Sequence, residues 1–406
     1  MQKFEKRSPV VVTEVTTKHE LRQFMQYPNR LYADNPNYIP SFYGDDLSDW
    51  TPGKNPAFDY CEARCWLAWR DGEIVGRIGA ILSHKANDKF GTHRMRFSQV
   101  DFVDDSEVSA ALFGTVERWA RQKGCDQVHG PLGFTDMDRE GMLVEGFDRR
   151  SLFITNYNAP YYPEHLTRLG YRKDVDWIEY RISVPAPGSA EAERLHRLSE
   201  FILKRKHLHV ATLHHKSEYG PFVRQVFELV NAAYAPLYGV VELSDEQIER
   251  YANKFIPLVD PDFVCFVLDE QDKLVAFGVT TLDPSPALKH SDGRLFPFGW
   301  AEVLNDLHHG DTLIMLLTAV RPDLQTEGIN AVMMDHVCQS CNRHGVQFAE
   351  TGPMLELNDH ILAQWKRLEK EQHKRRRCFI KDLDHDVNAA NAAAAQTETP
   401  ETESAE

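Results

Sequence analysis

One order of elements runs through this chain twice, and that repetition limits the fold more than any other feature. In the first half an apolar hairpin runs from Cys65 to Leu82 with Asp71 and Gly72 at its turn, a pair suited to the positive φ angles of a two-residue loop. In the second half Phe263 to Leu282 repeats it around Gln271 and Asp272, and each hairpin follows a Pro-x-Phe step, at Pro56 to Phe58 and Pro261 to Phe263. A strand comes next, Met95 to Val103 and then Thr312 to Val320. Each leads to an amphipathic helix: Val108, Ala111, Leu112, Val116, Trp119 and Ala120 form one stripe, and Ile329, Val332, Met333, His336 and Val337 the other. These helices stop at Gly124 and Gly345, and the following strands end in Gly130-Pro131 and Gly352-Pro353. A helix and a strand close each half, Tyr162 to Leu169 with Asp176 to Ile182, and Asn358 to Arg375 with Arg377 to Lys381. The order is that of an α/β chain of the α+β type in tandem, although the residues alone also allow one α/β domain with accidental similarity. Val184, Pro185, Ala186, Pro187 and Gly188 read as a linker, which divides the chain into 1–184 and 189–381.

Two units of this kind need two cores, and 406 residues with 42% apolar and 11% aromatic content suffice for them. Met1 to Pro9 is charged rather than apolar, so it does not read as a signal peptide, and no apolar run is long enough to span a bilayer. The expectation is a cytoplasmic chain, peripheral to the inner membrane if it touches one. The seven cysteines are scattered, which fits a reducing compartment. Cys338 and Cys341 sit near a helix C-terminus, where the dipole opposes a thiolate, and no second pair completes a zinc site, so no metal is expected. Part of the net charge of −15 lies in a tail, 382–406, whose composition is that of disorder. An acidic chain excludes nucleic acid as the main partner. Lys366, Arg367, Lys370, Lys374, Arg375, Arg376 and Arg377 crowd the last expected helix, the one basic face in view.

Between Val320 and Met334 an apolar strand passes into a helix through Gln325, Glu327, Gly328 and Asn330. A glycine turn at a helix start presents unpaired backbone N–H groups at the positive end of the dipole, where a pyrophosphate is held. The matching turn of the first half, Asp104 to Glu107, is acidic and repels such a group, so cofactor binding is expected in the second half. An acceptor has two candidate segments. Gly130 to Gly146 carries Asp136, Asp138, Glu140 and Glu145, able to hold an ammonium or take its proton, and equally an ordinary solvated acidic loop. Thr155 to Pro163 interleaves Tyr157, Asn158 and Tyr161 with prolines, a pocket-wall composition that helix entry at Pro163 also explains.

The stretch Gln325-x-x-Gly328-x-Asn330 resembles the acetyl-CoA motif of the GCN5-related N-acyltransferases (GNATs), which prefers Gly or Ala where Asn330 stands. The resemblance implies two tandem GNAT-like units, each a mixed sheet whose central parallel strands splay to admit a thioester. It also implies acyl-CoA or acetyl-CoA as cosubstrate. Carried over to these positions, Val320, Gln325, Glu327, Gly328 and Asn330 bind the coenzyme, Glu350 is the candidate base, and Asn358 matches the family's Asn at the next helix. Trp365 stands where many members place a Tyr proton donor, which leaves the acid unassigned. The segments Leu31 to Pro36, Gly130 to Asp136, Glu140 to Phe147, Tyr157 to Tyr162 and His373 to Cys378 are similar to a bacterial family of tandem acyltransferase-like proteins that includes ceramide synthases. That resemblance implies N-acylation of a small-molecule or lipid amine such as a sphingoid base, with the basic last helix facing anionic headgroups. Acylation of a small amine or a peptide, and a non-catalytic binding protein, remain as alternatives. The insertion Asp283 to Gly310, with Leu295 to Trp300 at its centre, covers either a lipid chain or a core.

Overall fold

The computed structural model describes residues 8–383. Its strands are β1 (Val11–Glu14), β2 (Cys61–Arg70), β3 (Glu73–Ser83), β4 (Arg94–Phe102), β5 (Gln127–Gly130), β6 (Met142–Glu145), β7 (Arg172–Ser183), β8 (His209–Val210), β9 (Val264–Leu268), β10 (Leu274–Leu282), β11 (Thr312–Val320), β12 (Phe348–Thr351), β13 (Met354–Leu355) and β14 (Lys370–Asp382). The helices are α1 (Lys18–Leu31), α2 (Tyr43–Asp49), α3 (His84–Phe90), α4 (Ser106–Gln122), α5 (Tyr162–Arg168), α6 (Ala190–Lys206), α7 (Gly220–Tyr234), α8 (Asp245–Phe255), α9 (Ser285–His290), α10 (Gly299–His309), α11 (Asn330–His344) and α12 (Asp359–Gln364).

The expected succession is present twice: hairpins β2–β3 and β9–β10, strands β4 and β11, helices α4 and α11, strands β5 and β12, helices α5 and α12, strands β7 and β14. Local chemistry sets these elements. Asp71 (φ 52°) and Gly72 (φ 82°) make the first hairpin turn, and Gly345 (φ 73°) ends α11 in the left-handed conformation that favours glycine. In the first half the apolar stripe of α4 covers β2 to β5 through Val108, Leu112, Val116 and Trp119. In the second, α6 and α11 cover one sheet face through Ile202, Val332 and Met333, and α7 and α8 cover another part of the core through Phe227, Val230, Ile248 and Tyr251.

All the strands join one 14-stranded mixed sheet, in the order β1-β2-β3-β4-β5-β14-β7-β12-β11-β10-β9-β8, with β6 beside β14 and β13 beside β7. The closing strands are exchanged. β14, from the end of the chain, pairs with β5 of the first half (Phe379 opposite Gly130), while β7 pairs with β12 of the second (Ser183 opposite Phe348). β7 and β14 also pair with each other from Lys370 opposite Ile182 to Ile380 opposite Arg172. Each copy therefore borrows the other's last strand.

That exchange corrects the reading of the basic segment. The expected helix from Asn358 to Arg375 ends at Gln364, and after a 3₁₀ turn to Arg367 the chain enters β14. Tertiary pairing overrides local helix preference here, because β14 lies inside the sheet. Lys374 and Arg376 are 0% exposed and face Glu179, Arg375 reaches Asp176 and Glu145, and Arg377 reaches Asp176. These cations are used up in ion pairs, so the segment is not a basic helix face for headgroups. Asp382 ends β14 and pairs with Arg172; the rest of the expected acidic tail, 384–406, lies outside the described residues.

Candidate active site

The second half opens where its parallel strands part. β11 and β12 pair from Thr312 opposite Phe348 to Met315 opposite Thr351; β12 then ends, while β11 runs on to Val320. On its other edge β11 carries a bulge: Leu317 faces Val279 and Met315 faces Thr280, which leaves Leu316 without a partner. From Met315 to Thr318 this strand is only half-buried. A groove of about 730 Å³ between α11 and α12 follows it, lined largely by apolar side chains including Met315, Leu317, Met333, Met334 and Trp365.

The strand-to-helix turn lies at the head of α11. Gly328 has φ 80°, and a Cβ there would come within 3.1 Å of Ile202 Cδ1. The Gln325 amide donates to Val320 O at 3.3 Å and closes the turn. No side chain caps α11; Ala331 N and Val332 N turn back to Gly328 O and Ile329 O at 2.9 Å each, which leaves the N–H groups ahead of them, from Gly328 to Asn330, for a ligand. Asn330, the first residue of α11, lines the groove, while Glu327 lies in an ion pair with Lys206 at 2.5 Å. An uncapped helix start, a glycine at a positive φ that disfavours a side chain and a strand edge without a partner suit an anion followed by an extended arm.

The first half reaches this site through its acidic loop. Thr135 Oγ1 and Tyr251 OH are 2.6 Å apart, which ties the loop to α8. Asp138 accepts from the N–H groups of Phe134 (2.8 Å) and Thr135 (3.2 Å), so its carboxylate braces the loop. Asp136 is left with a poorer environment: burial, aided by the Asp138 charge, pushes it up to about 6. Burial and then the Asp136 charge raise Glu140 well above the carboxylate range. Tyr234, whose OH donates to Thr318 O at 2.8 Å in the parted stretch of β11, is pushed up to about 12 by burial, with the Asp136 charge contributing. Tyr234, bonded to the open strand of the second half, thus also feels the Asp136 charge of the first.

A polar cleft adjoins the loop. Two connected cavities of about 660 and 700 Å³ share Ser41, Asp46, Gln99 and Arg139. Asp45, Asp49, Asp138 and Lys254 line one, and Arg77 with Asp101, paired at 2.7 Å, lines the other. Burial raises Asp45; burial acts the same way on Asp46, but Arg139, 2.5 Å away, holds it below its usual range.

No family model matches the chain. It is 27% identical over 383 residues to Protein YghO of Escherichia coli, covering 92% of this chain and 95% of that one. It is 28% identical over 299 residues to a bacterial ceramide synthase of Caulobacter vibrioides, covering 72% and 75%. A solved tandem GNAT protein from the clavulanic acid biosynthesis pathway superposes with a TM-score of 0.52 at 13% identity, over 92% of this chain and 99% of that one. The fold is that of a tandem GNAT protein.

Within that GNAT fold the expected site residues divide. Val320, Gln325, Glu327, Gly328 and Asn330 lie at or beside the turn. Asn358 caps α12, its side chain accepting from Ile361 N at 3.3 Å. Tyr157 and Asn158 line the polar cleft; the Asn158 amide is spent on Leu143, with bonds of 2.7 and 3.0 Å to its N–H and carbonyl. Tyr161 packs on Phe102 and donates to its carbonyl at 2.5 Å, which makes it part of the first core rather than a pocket wall.

Glu350 is buried at the seam of exchanged strands, 3.3 Å from Lys374, 3.6 Å from Arg181 and 3.7 Å from His373. Burial, then Lys374, pushes His373 down to about 3, so the imidazole is neutral. Cations hold Glu350 on the sheet side opposite Ala349, which lines the groove. Sequence reasoning missed Tyr234, the bulged Leu316 and the α2 carboxylates; of these only the Asp45-Asp46 pair left a visible signal.

Proposed function

We propose that this protein transfers an acyl group from acyl-CoA to an amine, with the thioester in the second half and the amine presented from the cleft between the halves. The parted β11–β12 strands beside an uncapped, glycine-led helix carry the reading. Backbone N–H groups of Gly328, Ile329 and Asn330 would hold the pyrophosphate, with the arm along Met315 to Thr318 and the groove below it. When bound, the thioester supplies the activated acyl carbon.

The chain's own groups do the rest. Asp136, raised toward neutrality and beside Glu140, takes a proton from the ammonium form of the acceptor. The bulge at Leu316 frees backbone N–H capacity next to the carbonyl position, where a fixed donor stabilises the developing oxyanion. Tyr234, protonated at neutral pH and bonded at Thr318, is placed to return a proton to the departing thiolate, a task Trp365 cannot perform. Glu350, held by cations, serves the seam and is the weaker candidate base.

Similarity to the Caulobacter ceramide synthase supports a long-chain amine, and the acidic cleft supports a cationic head. The polar lining of Asn29, Ser41, Gln99 and Asp101 favours a second reading, a small hydrophilic amine. Incubation with acyl-CoAs from acetyl to palmitoyl, with sphinganine or with a polyamine, read by mass spectrometry, separates the two. Amide formed only with sphinganine supports the lipid reading; amide formed only with the polyamine supports the second. Coenzyme A bound without any amide would refute catalysis.

A further inference from the structure

The insertion between β10 and β11 leaves several large apolar side chains exposed rather than packed over a core. Phe296 is 81% exposed, Phe298 75% and Trp300 48%, and Leu304 one turn into α10 is 42% exposed. Large apolar side chains this exposed and this close together mark a contact surface. They do not hang on a loose loop. Trp300 N donates to Leu295 O (2.9 Å), Ala301 N to Phe298 O (3.0 Å) and the Trp300 indole to Pro297 O (3.1 Å). Gly299 is pressed so close to Arg294 O that a Cβ would stand 2.1 Å from it. The turn holds its rings outward, anchored behind by Val303 and Leu307 in the core.

The base of this wedge is fastened to the mouth of the polar cleft. Asn29, Tyr38 and Tyr43 line the cleft, and each meets the insertion: Asn29 donates to Asp292 O (3.1 Å), Tyr43 N donates to Gly293 O (3.0 Å), and Lys289 stands over the Tyr38 ring. Arg294 lies 5.7 Å over the Tyr43 ring, exposed, and has no ion pair among the described residues. Of the nearby acids, Glu302 is matched by His290 at 2.7 Å, and the charge of exposed Asp292 acts on Lys289.

We propose that Phe296, Phe298, Trp300 and Leu304 form a membrane-docking wedge that sets the mouth of the cleft against a phospholipid bilayer. Aromatic rings favour the interfacial layer, and a cation with a long apolar stem beside them reaches lipid phosphates. Arg294 supplies this local charge complementarity in a chain whose net charge of −15 would otherwise be repelled by an anionic surface. Entry of a lipid amine from the bilayer to the cleft rests on the function proposed above; the docking itself does not.

The test is flotation of the full chain with vesicles of phosphatidylcholine, alone and with phosphatidylglycerol, comparing wild type with F296A/F298A/W300A and with L357A, a change at another exposed leucine. The wild type and L357A are expected to float, and the triple variant to lose about tenfold or more of its binding with unchanged thermal melting. A wild type that stays in solution with both compositions overturns the proposal, as does a triple variant that floats equally well. A dimer in sedimentation that the triple variant splits also overturns it, because a second copy then covers the face. Transfer to a water-soluble amine, assayed without vesicles, reports on the acyltransferase reading alone, so the failure of either is recognised separately.

Discussion

The turns after β4 and β11 occupy the same place in the two copies and are built in opposite ways. At the first, the Asp105 carboxylate accepts from Glu107 N at 2.9 Å and caps α4, with Arg70 2.6 Å away. At the second no side chain caps α11, and Gly328 keeps the approach clear. The adjoining strands differ in the same sense. β4 and β5 also part, after Arg96 opposite His129, but the rings of Phe97, Phe102, Phe113, Tyr162 and Tyr171 pack there, and the Tyr162 hydroxyl accepts from Phe102 N at 2.6 Å. One copy has closed its opening with its own side chains, and the other has kept it. A repeated fold thus divides its labour, with the closed copy lending a rigid acidic loop to the open one.

If that division is right, the largest effect comes from the loop that crosses between the copies. Asp136→Asn is expected to lower kcat by about 10²- to 10⁴-fold, as for removal of a general base, with coenzyme A affinity unchanged in calorimetry. Wild-type activity should rise with pH through about 6 as Asp136 ionises, a limb absent from the variant's profile. Stability moves the other way. The Asp136 pKa is raised on folding, so its contribution is complete below the unfolded value and declines as pH climbs through about 6. Urea midpoints of wild type minus variant across pH 4 to 6.5 isolate it. An unchanged kcat would move the base into the second copy and break the comparison.

The seam joining the copies comes next. Glu350→Gln would leave Lys374 to share Glu179 with Arg376, all with side chains fully buried. The expected loss is about 3 kcal/mol in denaturant unfolding, largely recovered when Lys374→Met is added to Glu350→Met, because an apolar pair removes the uncompensated charge. A loss of activity in Glu350→Gln with no loss of stability would instead return Glu350 to the role of base.

Much of the fold was legible because the hairpin, strand and helix signals recur with the same glycine stops, at Gly124 and Gly345, and the same Gly-Pro steps. The turn at Gln325 to Asn330 was legible for the same reason: it is a local pattern whose chemistry is mostly backbone. The strand exchange was not, since register between Phe379 and Gly130 is set by contacts far apart in the chain. Nor was the first part of β14: Arg377 to Lys381 reads as a closing strand, but Lys370 to Arg375 read locally as a helix face and become strand only when Glu179 and Asp176 meet Lys374 and Arg375. Tyr161 and Asn158 had the composition of a pocket wall, and their partners, Phe102 and Leu143, decide otherwise for their polar groups.

The contrast between the turns is sharpened by Gly328→Val. A β-branched residue is strained at φ 80°, and its Cβ would crowd Ile202, so coenzyme A should bind about 10- to 100-fold more weakly in calorimetry with little change in melting. Smallest is the counterpart in the closed copy. Asp105→Ala removes the cap of α4 and should cost about 1 kcal/mol of stability, while Arg70 keeps its contact with Glu107 at 2.8 Å. Coenzyme A affinity should not move, and stoichiometry should remain one per chain. Uncapping α4 exposes N–H groups, but the aromatic rings still fill the opening behind them, so an anion bound there has nowhere to lay its arm. A second equivalent of coenzyme A bound by Asp105→Ala would mean that the carboxylate alone, and not the filled core, had closed the first copy.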